Sequence, residues 1–275
     1  MFETLIEEMK LHNFSPKTRS IYLHYNQTFL HFIRKYPKEV SGADIRHYLL
    51  YLINKHHSSS TINLAHNALN FYYGKILRKN VDEIPFQKRE SKIKEIASPE
   101  EIQKLIDVTP NPKHKLVISL LYASGVRRSE LVTIRIEDLD LNKRLLLIKA
   151  GKGNKDRFTI LSHTVIQQIK DYLRTRPYPS PYLFASHQSH ITPTTVERII
   201  EHARQKAKIE KNITPHTLRH SFATHHLEVG TRLEYIQQML GHRDIRTTRA
   251  YQNIVTKHLE TITSPQDIKP EHQML

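Results

Sequence analysis

Thr214-Pro215-His216-Thr217-Leu218-Arg219-His220, followed by Leu240-Gly241-His242 and then Tyr251, is the stretch on which the reading of the whole chain turns. On a helix, His216 and Arg219 stand three residues apart and project from one face toward one target. A phosphate suits that pair. A guanidinium carries a fork of donors matched to two oxygens of a phosphodiester, and His216 and His242 can donate to the same group or carry a proton near neutral pH. Tyr251 adds a hydroxyl able to attack phosphorus. Upstream, Gly125-Val126-Arg127-Arg128-Ser129-Glu130 offers a second arginine, and Gly151-Lys152-Gly153-Asn154-Lys155 offers a lysine on a turn. Together these are the parts of a phosphoryl-transfer site that uses no metal.

Working outward, the flanking segments predict an α+β domain. Ser98-Pro99-Glu100-Glu101 has a cap, a proline at the first helical position and an acidic residue for a capping box. Residues 114–124 read as a mostly apolar helix ended by Gly125, and residues 127–134 as one or two further turns. Residues 144–150 and 157–161 read as strands flanking the Gly-Lys-Gly-Asn-Lys-Asp turn, which puts Lys152 at the tip of a β-hairpin. Residues 162–175, 193–208, 216–229 and 232–240 read as helices, and a shorter helical piece carries Tyr251. The tail after residue 264 is polar with two prolines.

The first 80 residues carry a different pattern. Residues 2–11 form a short helix, and a second begins at Ser15-Pro16 with Ile21, Tyr22, Tyr25, Phe29, Phe32 and Ile33 at three- and four-residue steps. A third starts at Ser41-Gly42-Ala43-Asp44, and a fourth follows a Ser58-Ser59-Ser60 breaker. Four helices with short connections predict a small bundle. Between them and Ser98 lies a charged stretch of little apolar periodicity. It reads as a linker, either a solvated hinge or a segment whose Lys and Arg side chains lie along phosphates. The organisation expected is therefore a helical bundle at 1–85, a linker at 86–97, a catalytic domain at 98–262 and a tail at 263–275.

Charge fits a polyanionic partner. The chain has 42 Lys+Arg against 27 Asp+Glu, a formal charge of +15. The excess is shared: residues 1–95 hold 15 basic and 9 acidic side chains, and the remainder 27 and 18. Both halves are candidates for touching nucleic acid, although a basic surface also simply solubilises a protein. No cysteine is present, which excludes disulfides, thiolate metal sites and cysteine nucleophiles. The N-terminus lacks a secretory signal pattern, and the longest apolar run, 116–123, is far too short to span a bilayer. The expectation is a soluble cytoplasmic protein without a membrane partner.

Singly, each residue has an ordinary explanation. Tyr251 is one of 13 tyrosines, His242 is able to cap a helix, and Lys152 and Arg127 are able to be surface charges. His216 and His220 have the spacing of zinc ligands, but no Glu lies between them and no third ligand announces itself. The ordered set is far more specific. Gly-x-Arg-x-x-Glu, Gly-Lys-Gly-Asn-Lys, His-x-x-Arg-His, Leu-Gly-His and a tyrosine nine residues later resemble the tyrosine recombinase (phage integrase) family, closest to its Xer-like resolvases. The resemblance spans about Ser98 to Tyr251, and the N-terminal helices resemble the family's SAM-like core-binding domain with less distinctive residues.

That resemblance implies a mainly α fold with a small β-sheet and an enzyme that cuts and rejoins duplex DNA without ATP, metal or other cofactor. It makes Arg127 and Arg219 the clamp arginines, Glu130 their support, Lys152 the hairpin lysine, His216 and His242 the histidines and Tyr251 the nucleophile that forms a 3′-phosphotyrosyl link. Arg128 adjoins Arg127, but the Gly-x-Arg-x-x-Glu frame selects Arg127, and the Gly-Lys-Gly frame selects Lys152 over Lys149 and Lys155. The partners implied are a double-stranded DNA site and three further copies on that DNA, with a monomer or dimer in solution and room for a partner recombinase or accessory protein. Two alternatives stand beside it: a type IB topoisomerase, and a DNA-binding protein that has lost catalysis, whose mark would be a broken residue set.

Overall fold

The computed structural model describes residues 2–81, 84–88, 95–149, 156–187 and 189–241. It divides into two compact units, Met1–Lys92 and Ile93–Leu275.

In the first unit, helices α1 (Glu3–Leu11), α2 (Pro16–Ile33), α3 (Gly42–Asn54) and α4 (Ser59–Leu69) bury one face each. Serine caps start three of them. Ser15, Ser41 and Ser58 accept the backbone N–H groups of Thr18, Asp44 and Thr61, so Ser58 opens α4 where the sequence suggested a breaker. Leu5, Met9, Phe29, Ile45, Leu49, Ile62 and Leu69 form the core. Phe29 meets Tyr48 and Tyr73 with ring centroids 5.3 and 5.4 Å apart. Helix α4 does not stop at Leu69 but widens into a π-helical turn, Asn70–Ile76, that brings Phe71, Tyr72 and Tyr73 into that core. The chain then returns along α4. Asn63 Nδ2 donates to Gln87 O and the Gln87 N–H donates to Asn63 Oδ1, both at 2.8 Å, while Phe86 stacks on the buried His66 ring.

The second unit is built around α6 (Pro112–Ser124), whose Leu116, Val117, Ile118, Leu120 and Leu121 are all fully buried. A helix apolar around its circumference must be wrapped, and α5 (Pro99–Asp107), α8 (His163–Thr175), α9 (Pro193–Lys206) and α10 (Pro215–Glu228) pack on it. Asn111 caps α6, which begins at Pro112, two residues before the sequence suggested. Helices α7 (Arg128–Thr133) and α11 (Leu233–Leu240) complete the described set.

The sheet has three antiparallel strands in the order β1 (Leu139–Asp140), β2 (Leu145–Ile148) and β3 (Arg157–Ile160), one more than expected. The two-residue β1 pairs Leu139 with Leu146 and Asp140 with Leu145, and is too short and acidic to show as a strand pattern. Between β2 and β3 the register sets Ile148 opposite Arg157 and Leu146 opposite Thr159. No helix among the described residues is long and apolar enough to cross a membrane.

Candidate active site

The local sequence explains how the first arginine is held. Helix α6 ends in Gly125, whose φ of +62° is the left-handed cap conformation; a Cβ there would lie 2.4 Å from Phe222 Cδ1. Val126 is buried, and Arg127 is the cap residue of α7. Glu130, three residues on, turns back so that Oε2 accepts the Arg127 backbone N–H at 2.8 Å and Oε1 accepts Arg127 Nη1 at 2.6 Å. This is the physical content of the Gly-x-Arg-x-x-Glu spacing: one helix stopped, the next begun, and a guanidinium fixed by the acid of the new first turn. The neighbouring Arg128 has a different partner, Glu197 on α9.

His216 and Arg219 come from the opening of α10. Thr214 is the cap, with Oγ1 accepting the Thr217 N–H at 3.1 Å, and Pro215 takes the first helical position, so His216 lies in the first turn. His216 keeps a side open to solvent. The protein around its ring, and then the charges of Arg128, Arg219 and Arg127, push its pKa below the ordinary histidine value. Four groups from two separated segments, Arg127, Arg128, His216 and Arg219, are thus brought together. His216 and His220 have ring centroids 6.5 Å apart, and no cluster of three potential metal ligands occurs among the described residues.

Arg219 is only 4% exposed. Its Nη1 donates to Gly125 O at 2.5 Å and its Nη2 to Leu240 O at 2.6 Å. Both carbonyls belong to helix C-termini, where the helix dipole favours a cation. At the end of α11 every orphan carbonyl of the last turn is satisfied. Gly241 N–H serves Gln237 O and Gln238 O, Arg157 Nε donates to Met239 O at 2.8 Å, and Arg219 serves Leu240 O. Two arginines therefore hold the point from which the chain runs on to His242. Lys152, His242 and Tyr251 lie outside the described residues.

Arg157 is the member of this array that the sequence did not reveal. It forms a two-bond fork with Glu130, Nη1 to Oε1 at 3.0 Å and Nη2 to Oε2 at 2.7 Å. Burial raises the Glu130 pKa, but the fork from Arg157, the Arg127 N–H and both positive charges outweigh it and bring the value down to about 2. The available signal was register: Arg157 shares a strand face with the buried Thr159. Further support comes from Ser221 on α10, whose Oγ accepts the Ala97 N–H at 2.9 Å, and from Lys211, whose Nζ donates to Ile96 O and Glu101 Oε2.

A helical bundle, a helix-wrapped domain with a three-stranded sheet, and two arginines and a histidine gathered beside a sheet hairpin define a DNA-cleaving and rejoining enzyme of the integrase type. The chain matches the Phage integrase family over residues 95–258 and the Phage integrase N-terminal SAM-like domain over residues 1–83. It belongs to that family, the tyrosine recombinases, and catalyses site-specific cleavage and rejoining of DNA. Among its relatives, a putative integrase/recombinase of Sinorhizobium fredii is 33% identical, covering 98% of this chain and 89% of its own. The tyrosine recombinase XerA of Pyrococcus horikoshii is 33% identical over 94% and 90% of the two chains. The crystal structure of a XerA recombinase superposes with a TM-score of 0.57 at 32% identity, covering 93% of this chain and 94% of the other. A lambda integrase dimer bound to a core site shares the fold, with a TM-score of 0.74 at 16% identity over 92% and 95%.

Proposed function

We propose that this recombinase works through Tyr251, which attacks a DNA phosphodiester to give a 3′-phosphotyrosyl link and a free 5′-hydroxyl. The ester energy is kept in the link, and the reverse attack by a 5′-hydroxyl of the partner duplex completes strand exchange. Arg127 and Arg219 take the non-bridging oxygens and stabilise the charge of the pentacoordinate transition state. His216 receives the tyrosine proton, Lys152 protonates the departing 5′-oxygen and His242 donates to the phosphate. The observation that carries this reading is the convergence of Arg127, Arg219 and His216, with the histidine pKa lowered so that its proton-accepting form prevails at neutral pH.

The boundaries we assign are those of a core-binding bundle to residue 85, a linker at 86–97 and a catalytic domain at 98–262. With basic side chains in both halves, both domains contact duplex DNA, and binding falls steeply with salt. The working form is a tetramer on two DNA sites, with the segment after residue 254 and the tail packing on a neighbouring copy; tail deletion with unchanged assembly on DNA would reject that arrangement. We place the enzyme in the cytoplasm, with Xer-like dimer resolution or integration and excision of a mobile element as its task. Topoisomerase-like relaxation and silent DNA binding are not favoured by the family the chain belongs to.

The test is incubation with nicked suicide duplexes carrying candidate sites from the host genome, comparing the wild type with Tyr251→Phe on a denaturing gel. A protein–DNA adduct that requires Tyr251 and no added metal supports the route. Tight binding to a duplex that is nevertheless never cleaved would reject it.

A further inference from the structure

Glu130 has four lone-pair positions, and all four are occupied: Oε1 by Arg127 Nη1 and Arg157 Nη1, Oε2 by the Arg127 N–H and Arg157 Nη2. Half of these bonds come from Arg157, one to each carboxylate oxygen. The Arg157 side chain is 7% exposed and reaches Glu130 from the first residue of β3. Its Nε is bonded to Met239 O, and it fills the space that a side chain at position 241 would need: a Cβ on Gly241 would lie 2.7 Å from Arg157 Cδ. A buried, hydrogen-bonded charge is an expensive way to hold a strand to a helix, since apolar residues of the same volume do it at least as well. The expense has a use if the carboxylate must be aimed.

We infer that Arg157 is a positioning residue for strand cleavage: by orienting Glu130 it aims Arg127, and by its bond to Met239 O it ties β3 to the end of α11. The inference rests on the proposed role of Arg127. It assigns Arg157 no contact with DNA. The charged groups around Glu130 are Arg127 in its own loop and Arg157 from β3; Glu197 of α9 is engaged by Arg128, and Arg219 of α10 by carbonyls. Without Arg157 the buried Glu130 keeps one cation, its proton affinity rises, and once protonated it no longer anchors Arg127 as a charged acceptor.

The experiment compares full-length wild type, Arg157→Gln and Arg157→Lys by two readouts. In the first, the side-chain N–H resonances of Arg127, identified by their loss in Arg127→Lys, are followed by NMR from neutral to mildly acidic pH. They should persist in the wild type, disappear on acidification in Arg157→Gln and persist in Arg157→Lys, which restores the charge. In the second, single-turnover adduct formation on the nicked duplex should fall about 10²-fold in Arg157→Gln, the size expected for a small misplacement, with DNA affinity held, and recover in part in Arg157→Lys. An Arg127 signal with the wild-type pH response in Arg157→Gln would overturn the inference. So would a rate loss that tracks the unfolded fraction and is not rescued by lysine. If Arg157→Gln does not fold, Arg157→Lys decides: slower cleavage with the Arg127 signal intact supports the fork, and a wild-type rate rejects it. Absence of adduct from the wild type rejects the cleavage reading, while the resonances still report whether Arg157 holds Arg127.

Discussion

Arg219 reaches across the second unit to donate Nη2 to Leu240 O at 2.6 Å, so the arginine of the His-x-x-Arg pair also closes the end of the helix that leads to His242. With Nη1 on Gly125 O, one guanidinium joins α10 to the C-termini of α6 and α11. With the phosphate contact proposed for Arg219, structure and chemistry are inseparable at this position. Arg219→Ala strands two buried carbonyls and should cost roughly 2–5 kcal/mol in thermal or denaturant unfolding, besides abolishing adduct formation. Arg219→Lys keeps a charge, but one ammonium cannot reproduce the fork, and it should recover less than half of that stability. Full stability in the lysine variant would show that the two carbonyl bonds contribute little.

Gly125 is expected to be equally intolerant for a different reason. Its φ of +62° strains any residue with a Cβ, and that Cβ would lie 2.4 Å from Phe222 Cδ1 and 3.0 Å from Leu240 Cδ2. Left-handed strain and overpacking add, giving roughly 2–4 kcal/mol of destabilisation for Gly125→Ala. Because the displaced Phe222 lies on α10, cleavage should fall further than the loss of folded protein explains. Urea denaturation alongside single-turnover cleavage separates the two effects, and a cost below about 1 kcal/mol would mean that Phe222 rotates away freely.

The parts of this site legible in the sequence are those written in local chemistry. Thr214-Pro215 and Ser98-Pro99 declare helix starts through a cap and a first-turn proline, and Gly125 and Gly241 declare helix ends. Gly-x-Arg-x-x-Glu is legible because its acid closes on its own loop. What stayed hidden depends on pairing between distant segments. Arg157 stands in the sequence among Lys149, Lys152 and Lys155, and nothing local separates a buried arginine from its basic neighbours; only the register opposite Ile148 does. The π turn after Leu69 and the bonds between Asn63 and Gln87 are likewise tertiary, the second joining residues 24 apart. The inward bonds of Arg219 escaped for the same reason, since a phosphate and a helix C-terminus ask for the same cation.

In the proposed mechanism His216 gives the pH dependence its sign. Burial, and then Arg128, Arg219 and Arg127, depress its pKa below 6.5, so the neutral base is present at pH 7 and is lost only as pH falls through that lowered value. The acid limb of cleavage should accordingly lie below pH 6.5. Arg128→Gln removes one of the positive neighbours and should move the limb toward higher pH while leaving the Arg127–Glu130 pair in place. Rates of adduct formation across a pH series would read both; a limb that stays put in Arg128→Gln would mean that His216 does not set it.

Asn63 fixes where the connecting segment leaves the first unit. Its amide presents a donor and an acceptor to the Gln87 backbone at 2.8 Å, as a neighbouring strand would, and Phe86 stacks on His66 at a ring separation of 4.4 Å beside it. In the second unit Ile96 O is held by Lys211 Nζ at 2.8 Å. Asn63→Ala leaves the Gln87 N–H and C=O without their partners and should ease local opening by about 1–2 kcal/mol, roughly a tenfold rise in cleavage after Lys88 under limited trypsin digestion. Asn63→Asp keeps the acceptor but not the donor and should fall between. Faster cleavage after Lys88 with an unchanged global unfolding midpoint would locate the effect in the anchor. An unchanged cleavage rate in Asn63→Ala would mean that the Phe86–His66 stack alone holds the segment down, and Phe86→Ala should then release it.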